Sequence, residues 1–216
     1  MDFEFNEIQR NVRSMIKDFV DREVRPIAME YEHEDKYPMP IVKKMKELGI
    51  FGFTIPEEYG GSGMDEVCYA IAMEELSVGW MSVAGILGTH MMTAWMLLHH
   101  GTEEQKNTYL PKMATGEWHS GMALTEPGSG SDAAALRTTA VRQEDQWVLN
   151  GTKMFISNAE NATMFSVFAR TDPDASKAKG ISCIIVHKGS PGFQVSRHLK
   201  KMGYRGIRTS ELVFDE

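Results

Sequence analysis

The spacing of apolar residues changes near Gly116, and this change constrains the fold more than any other feature of the sequence. Before it, apolar residues recur every three or four positions, which indicates amphipathic helices, the first over residues 7–24. After it, short runs of β-branched and aromatic residues alternate with turn signals, as in a sandwich or barrel. We therefore predict an α+β chain, with an N-terminal all-α helical bundle over residues 1–115 and a small antiparallel β-barrel or sandwich domain over residues 116–216.

Local signals place several of these elements. A short helix follows Pro40, another covers about 65–76, and Thr102 with Gln105 forms a capping box that begins a further one. In the second half, Asn150-Gly151 lies between two apolar runs and predicts a hairpin turn there. The sequence ends within or just after a strand, from which we expect it to be part of a longer protein.

Residues 80–98 contain no Asp, Glu, Lys or Arg and are long enough to span a membrane. However, the segment holds several hydroxyls and glycines, and glutamates and histidines flank it rather than Lys or Arg anchors. These features favour a buried central helix and no transmembrane segment. We expect His90, within it, to be a core histidine rather than a proton shuttle.

The charge and the cysteines narrow the functional classes. A net charge of −7 without a basic block argues against nucleic acid as a main partner. Cys68 and Cys183 show no metal-site spacing, and we expect two reduced, buried thiols. Residues 1–5 are acidic and lack the character of a signal or transit peptide. Together these features predict a cytoplasmic or organelle-matrix protein, and we assign it to the cytoplasm.

The loop at 124–132 follows an apolar strand and is rich in glycine and hydroxyl groups. Gly128 and Gly130 allow the backbone to turn its N–H groups toward one point, where they can hold an anion or an electron-rich ring edge. The hydroxyls belong to Thr125, Ser129 and Ser131. From composition alone, an ordinary surface turn is the alternative.

Five local sequences, in order along the whole chain, resemble the acyl-CoA dehydrogenase family. They are IPEEYGGSG at 55–63, GTEEQK with YLP at 101–111, ALTEPGSGSD at 123–132, LNGTKMFISN at 149–158, and KMG with SELVF at 201–214. The resemblance implies an N-terminal helical domain and a middle β domain, in agreement with the periodicity, and a C-terminal domain that this sequence does not contain.

The resemblance also implies that the loop at 124–132 lies along a bound FAD. The residues beside the isoalloxazine ring would be Met122, Ala123, Leu124 and Thr125. Thr125 would hydrogen-bond the pyrimidine side of the ring. Gly130 and Ser131 would contact the pyrophosphate, and Ser131 would also lie near the acyl-CoA substrate.

A second flavin contact implied by the resemblance is Phe155, Ile156 and Ser157, where the family usually has Trp-Ile-Thr. Phe155 can still stack on a flavin, with less area than tryptophan and no indole N–H. Ser157 keeps the hydroxyl without the methyl group. Composition alone favours the simpler alternative, in which Phe155 and Ile156 are ordinary strand core.

The activity that the resemblance implies is α,β-dehydrogenation of an acyl-CoA thioester in fatty acid metabolism. A glutamate removes the α-proton, a hydride passes to FAD, and an electron-transferring flavoprotein takes the electrons. In the family that glutamate lies in the C-terminal domain, and Glu126 does not occupy its place. We therefore predict no catalytic residue in this sequence and an inactive fragment that binds FAD weakly.

The full-length protein is expected to form a homo-oligomer, as a tetramer. Two other functional readings stay open. One is an acyl-CoA oxidase or flavin monooxygenase relative, and the other is a non-catalytic module that binds FAD or CoA for assembly.

Overall fold

The computed structural model describes residues 4–215 and consists of two compact units. The first unit extends to Trp118 and also includes Lys201–Ile207, and the second comprises the remainder, His119–Lys200 with the residues from Arg208 onward. Residues 1–5 were expected to lack the character of a signal or transit peptide, and residues 1–3 of this stretch lie outside the described residues. Segment 201–207 packs with the helices of the first unit.

The first unit is helical. Its α-helices are α1 (Glu7–Phe19), α2 (Arg25–His33), α3 (Met39–Glu47), α4 (Glu66–His100) and α5 (Glu103–Ala114). A π-helical turn, Val20–Val24, joins α1 to α2, so the helix expected to end near residue 24 continues past Pro26. The predicted capping box is present, with Gln105 N donating to Thr102 Oγ1 (3.2 Å) and Thr102 N donating to Gln105 Oε1 (2.9 Å).

Helix α4 carries the uncharged segment and bends at Trp80, whose backbone is extended (φ −164°, ψ 111°). The two helices predicted over 65–76 and 80–98 are the two arms of this bent helix. By length and composition α4 could cross a membrane, but 67% of its most apolar window is buried inside the protein, as in the core helix of a folded domain. His90 is fully buried, with Nε2 3.2 Å from the carbonyl oxygen of Phe51, so its prediction as a core histidine is confirmed.

Segment 201–207 belongs to the helical unit because one carboxylate holds it there. The Glu32 carboxylate accepts hydrogen bonds from Trp80 Nε1 (2.8 Å), Ser82 Oγ (3.2 Å), Arg205 N (2.9 Å) and Gly206 N (3.1 Å). The Arg205 guanidinium also pairs with Asp35, at 2.7 Å. Because α4 bends at Trp80, the indole N–H and the Ser82 hydroxyl donate to the same Glu32 carboxylate that binds segment 201–207.

We expect Glu32→Gln to destabilise the protein by about 2 kcal/mol near neutral pH, because a charged acceptor of several hydrogen bonds is lost. Burial alone would raise the pKa of Glu32, but the hydrogen bonds from Arg205, Trp80, Gly206 and Ser82 outweigh it and hold the pKa below its usual value. The stabilisation is therefore present above the usual glutamate pKa and is lost as pH falls through the lower, folded-state pKa.

Urea unfolding of the wild type and the variant, measured from neutral to acidic pH, tests this expectation. The difference between them should shrink as the pH falls. Glu34→Gln is the matched control, since Glu34 is exposed and pairs only loosely with Lys36 (3.9 Å). A difference for Glu32→Gln that matches this control, or that does not change with pH, contradicts the prediction.

The second unit is built on a seven-stranded sheet in the order β1-β4-β2-β3-β7-β6, with β5 also paired to β4. The strands are β1 (Ser120–Ala123), β2 (Thr139–Gln143), β3 (Gln146–Ser157), β4 (Met164–Arg170), β5 (Ile181–His187), β6 (Phe193–His198) and β7 (Thr209–Asp215). The α+β class is confirmed. The sheet is mixed rather than wholly antiparallel, because β1 runs parallel to β4, with Ser120 opposite Met164.

The hairpin predicted at Asn150-Gly151 is wrong. Both residues lie inside β3, where Asn150 is paired with Thr139, and the turn that joins β2 to β3 is at residues 144–145. Gly151 has φ 149°, and a Cβ there would lie 2.5 Å from Thr138 Oγ1 and 2.8 Å from Thr138 Cα. The glycine is therefore required by the close approach of the segment that contains Thr138, and not by a turn.

Both cysteines are free thiols, and Cys68 is buried as expected. Cys183 is exposed on β5, so its predicted burial is wrong. Residues 4–215 contain no group of three or more His, Cys, Asp or Glu side chains that could hold a metal ion.

Candidate functional site

The loop at 124–132 leaves the buried end of β1 and turns back on itself at once. Glu126 N donates to Ser129 O (2.9 Å) and Ser129 N donates to Glu126 O (3.2 Å), which places Pro127 and Gly128 at an exposed tip. The Ser129 hydroxyl donates to Asp132 O (2.7 Å). Ser129 therefore shapes the loop, and its hydroxyl is already engaged within the protein.

The structure brings together the two segments that the sequence implied as flavin contacts. Met154 N donates to Thr125 O (2.8 Å), and Lys153 Nζ donates to Leu124 O (3.1 Å). β1 also lies close to β3, since a Cβ on Gly121 would be 3.3 Å from Ser157 O. The end of β1 and the end of β3 thus form one continuous surface. Gly130 and Ser131 take part in none of these contacts.

Phe155 lies on a bulge and is not strand core. The register between β3 and β7 shifts between Lys153 and Ile156, and this shift frees Phe155 from the ladder. Its backbone is left-handed (φ 61°) and its side chain is 64% exposed. A left-handed residue with a Cβ costs about 1–2 kcal/mol, and such strain is concentrated at functional sites. The alternative reading as plain core holds for the buried Ile156 but not for Phe155.

The remaining predicted residues divide into those whose side chains reach the surface and those that can offer only backbone. Ala123 and Ile156 are buried within the hydrophobic core of the unit, so only their main-chain atoms are available. The half-buried residues are Met122, Leu124, Thr125 and Ser157, and the exposed ones are Gly130 and Ser131.

A buried ion pair, which sequence reasoning missed, supports this surface from below. Lys153 Nζ lies 2.8 Å from Glu126 Oε1, and both side chains are buried. The Glu126 carboxylate also accepts hydrogen bonds from Arg137 N (2.6 Å) and Thr138 N (2.9 Å). The pair therefore joins the loop, the middle of β3 and the approach to β2. A lysine inside a predicted strand, with Thr152 before it and Met154 after it, was the signal in the sequence that could have revealed it.

The electrostatics of the pair identify Glu126 as structural. Burial alone would raise its pKa, but hydrogen bonds from Lys153, Thr138 and Arg137 outweigh burial and hold the pKa below its usual value. Burial lowers the pKa of Lys153, and the attraction of Glu126 offsets only part of that effect. A carboxylate engaged in this way is a poor proton acceptor. This agrees with the sequence-based expectation that Glu126 is not the catalytic base.

The surface fits a flat, electron-poor ring with an anionic extension. Phe155 offers an exposed aromatic face, and nothing lies within 4 Å of a Cβ built on Gly128 or Gly130, so the loop backbone is open. Within residues 4–215, the backbone N–H groups of Thr125, Gly130 and Ser131 have no protein acceptor. Free N–H donors on a glycine-rich loop suit phosphate or carbonyl oxygens, and an exposed aromatic suits stacking. An FAD molecule has both parts.

Comparison with known protein families agrees with this architecture. Residues 6–117 match the family model for the acyl-CoA dehydrogenase N-terminal domain, and residues 121–216 match the model for the acyl-CoA dehydrogenase middle domain. A helical unit followed by a β unit is thus the pair of domains that opens such proteins. The chain belongs to the acyl-CoA dehydrogenase family.

Individual relatives show the same extent of similarity. The short-chain-specific acyl-CoA dehydrogenase of Clostridium acetobutylicum is 42% identical over 217 residues, which cover 100% of this chain and 57% of the relative. A chain in the structure of the electron transferring flavoprotein of Acidaminococcus fermentans has a TM-score of 0.95 at 38% identity, covering 100% of this chain and 57% of that one. The glutaryl-CoA dehydrogenase of Mycobacterium smegmatis, in complex with FADH2, has a TM-score of 0.89 at 32% identity, covering 98% and 53%. The chain therefore spans just over half the length of these relatives.

Proposed function

We propose that this chain is the N-terminal and middle part of an FAD-dependent acyl-CoA dehydrogenase. The observation that carries the proposal is the strained, exposed Phe155 beside a loop in which the N–H groups of Thr125, Gly130 and Ser131 have no acceptor among the described residues. The FADH2 bound by the M. smegmatis relative supports FAD as the cofactor. The name of the C. acetobutylicum relative supports an acyl-CoA thioester as the substrate, with short chains the first to test.

The residues of this chain would hold and orient the cofactor. Phe155 would cover part of one ring face and exclude water from it, and the Ser157 hydroxyl would lie at the same wall. Thr125 would donate to the pyrimidine edge, while Gly130 and Ser131 would donate to the pyrophosphate. Ser131 would also contact the acyl-CoA. When bound, FAD supplies the hydride acceptor for the dehydrogenation.

Donors placed at the carbonyl edge of a flavin favour its electron-rich, reduced form. The protein groups on this surface are therefore suited to redox chemistry as well as to retention of the cofactor.

None of these residues is assigned as a base, so we expect residues 1–216 alone to show no dehydrogenase activity and to retain FAD weakly. The partner proposed for the full-length protein is an electron-transferring flavoprotein, supported by the likeness to a chain in the A. fermentans structure. We further propose that the full-length protein is a homotetramer located in the cytoplasm.

Anaerobic bleaching of the flavin in the full-length protein tests the function. A panel of straight, branched and aromatic acyl-CoA thioesters should include at least one that bleaches the oxidised flavin band. If no thioester in the panel bleaches the flavin, the proposed function is wrong. Hydrogen peroxide formed in air without an added acceptor would instead indicate the oxidase, and FAD or CoA binding by a protein without a base glutamate would indicate the assembly module.

Phe155→Gly is expected to separate stability from cofactor binding. Glycine relieves the left-handed strain of about 1–2 kcal/mol and loses little packing, so the free energy of unfolding should change by less than about 1 kcal/mol. Flavin binding should weaken about tenfold, because the stacking face is removed. Calorimetric FAD titration and urea unfolding measure the two effects.

Phe165→Ala is the contrasting variant in the same unit. Phe165 is fully buried, so this substitution should cost about 3–5 kcal/mol. If Phe155→Gly destabilises the protein to a similar degree, or leaves FAD affinity unchanged, the assignment of Phe155 to the flavin site is wrong.

A further inference from the structure

Lys153 is the one buried ammonium that touches the candidate site among residues 4–215. Its side chain has no exposed surface, and Nζ donates both to Glu126 Oε1 (2.8 Å) and to the carbonyl oxygen of Leu124 (3.1 Å). Glu126 is the ionic partner of this ammonium. The second contact, to a main-chain carbonyl, therefore has a separate consequence.

That consequence follows from the geometry of the peptide between Leu124 and Thr125. No described peptide bond is cis, and in a trans peptide the C=O and the N–H point in opposite directions. Because the Leu124 carbonyl points at the buried ammonium, the N–H of Thr125 points away from it. This N–H has no acceptor among the described residues, whereas the next carbonyl, Thr125 O, is fixed by Met154 N at 2.8 Å. The peptide is thus held at its acceptor side and open at its donor side.

A cation on the carbonyl of an amide strengthens the hydrogen bond that the same amide donates. Charge-assisted hydrogen bonds are roughly twice as strong as neutral ones, and chains of hydrogen bonds polarise one another, more so in a buried, low-dielectric setting. The Lys153 charge lies behind the peptide and is screened from water by complete burial. The Thr125 N–H is therefore a stronger donor than an ordinary loop amide.

We propose that Lys153 is a positioning residue that orients and polarises the Leu124–Thr125 peptide, so that the Thr125 N–H donates to the pyrimidine edge of the flavin and favours its reduced form. This inference rests on the proposed function. It assigns the lysine an electronic role in addition to a structural one. A lysine that only held the peptide in place would affect the binding of oxidised and reduced flavin equally. A polarised N–H donor instead favours the ring that carries more negative charge at that edge.

The test measures the two-electron midpoint potential of the flavin in the full-length holoenzyme. The variant is Lys153→Met combined with Glu126→Gln, which removes both charges and leaves no unpaired buried ion. We expect the ratio of reduced-flavin to oxidised-flavin affinity to fall about tenfold, which lowers the potential by ~30 mV for a two-electron couple. Lys188→Met is the matched control. Lys188 also donates to a main-chain carbonyl, that of Glu160, but it is exposed, so its substitution should leave the potential unchanged.

A folded, flavin-loaded double variant with the wild-type potential would overturn the inference. A second measurement needs no variant: the Raman band of the pyrimidine carbonyl in the wild-type holoenzyme should lie at lower frequency than in free FAD, and an unshifted band also overturns it. These results are distinguishable from failure of the proposed function, which would appear as a wild-type protein that holds no flavin at all.

Discussion

Lys153→Met alone is expected to lower the free energy of unfolding by about 3–5 kcal/mol, the cost of leaving a buried charge without its partner. The Glu126 carboxylate would keep its hydrogen bonds from Arg137 N and Thr138 N but would lose the only cation bound to it in the described structure. The Leu124 carbonyl would lose its donor as well. Chemical denaturation of the wild type and the variant measures the loss.

Two comparisons isolate the cause of this loss. Lys17→Met removes an ion pair of similar length, with Asp21 at 2.6 Å, but at an exposed site, so it should cost far less stability than Lys153→Met. Adding Glu126→Gln to Lys153→Met removes the unpaired charge and should recover part of the stability. If Lys153→Met costs no more than Lys17→Met, the buried pair does not hold the loop as described.

Gly61→Ala is expected to destabilise the helical unit by about 3 kcal/mol, at the upper end of what overpacking costs. A Cβ at this position would lie 1.9 Å from Ile55 O and 2.7 Å from Gly52 O, and backbone atoms cannot rotate away as a side chain can. The same loop is fixed by main-chain hydrogen bonds on both sides, including Ser62 N to Gly52 O (2.9 Å) and Gly63 N to Ile55 O (2.9 Å). The loop must therefore open to admit one methyl group.

The neighbouring Gly60 provides the control for this substitution. Gly60 has φ 82° and nothing within 4 Å of a Cβ, so Gly60→Ala adds only the left-handed backbone cost of about 1–2 kcal/mol. Thermal and urea unfolding should rank Gly61→Ala as the more destabilising. Equal losses for the two variants would show that conformation, and not space, decides which residue this loop accepts.

Elements determined by neighbouring residues could be predicted from the sequence. The capping box of Thr102 and Gln105 spans four residues, and both of its hydrogen bonds are present. Helix α3 has Pro40 in its first turn and ends before Gly49, which adopts the left-handed conformation expected of a helix terminator (φ 69°). The change from helices to strands near Gly116 likewise follows from periodicity, which each segment expresses independently of its partners.

Features set by distant partners could not be predicted in this way. The parallel pairing of β1 with β4 depends on which strands meet, and no short-range pattern encodes it. The Asn150-Gly151 pair does not form the predicted turn, because the glycine is required by the close approach of Thr138, a residue on another segment. The candidate site shows the same limit: the motifs predict Phe155 and Thr125 as site residues, but the bulge and the ion pair beneath them depend on β7 and on Glu126.

The attachment of Arg205 and Gly206 to Glu32 bears on how the protein can be divided. A truncated polypeptide that starts at His119 would retain segment 201–207 but lose every acceptor that Glu32 and Asp35 provide. Gly206 packs so closely on Trp80 that a Cβ would lie 2.1 Å from the indole, and that surface would be missing too. The division between the two family domains near residue 119 is therefore a boundary along the sequence but not in the packing, because segment 201–207 packs with the helical unit. Separation of the β unit as a stable fragment would require this segment to be replaced by a short polar linker.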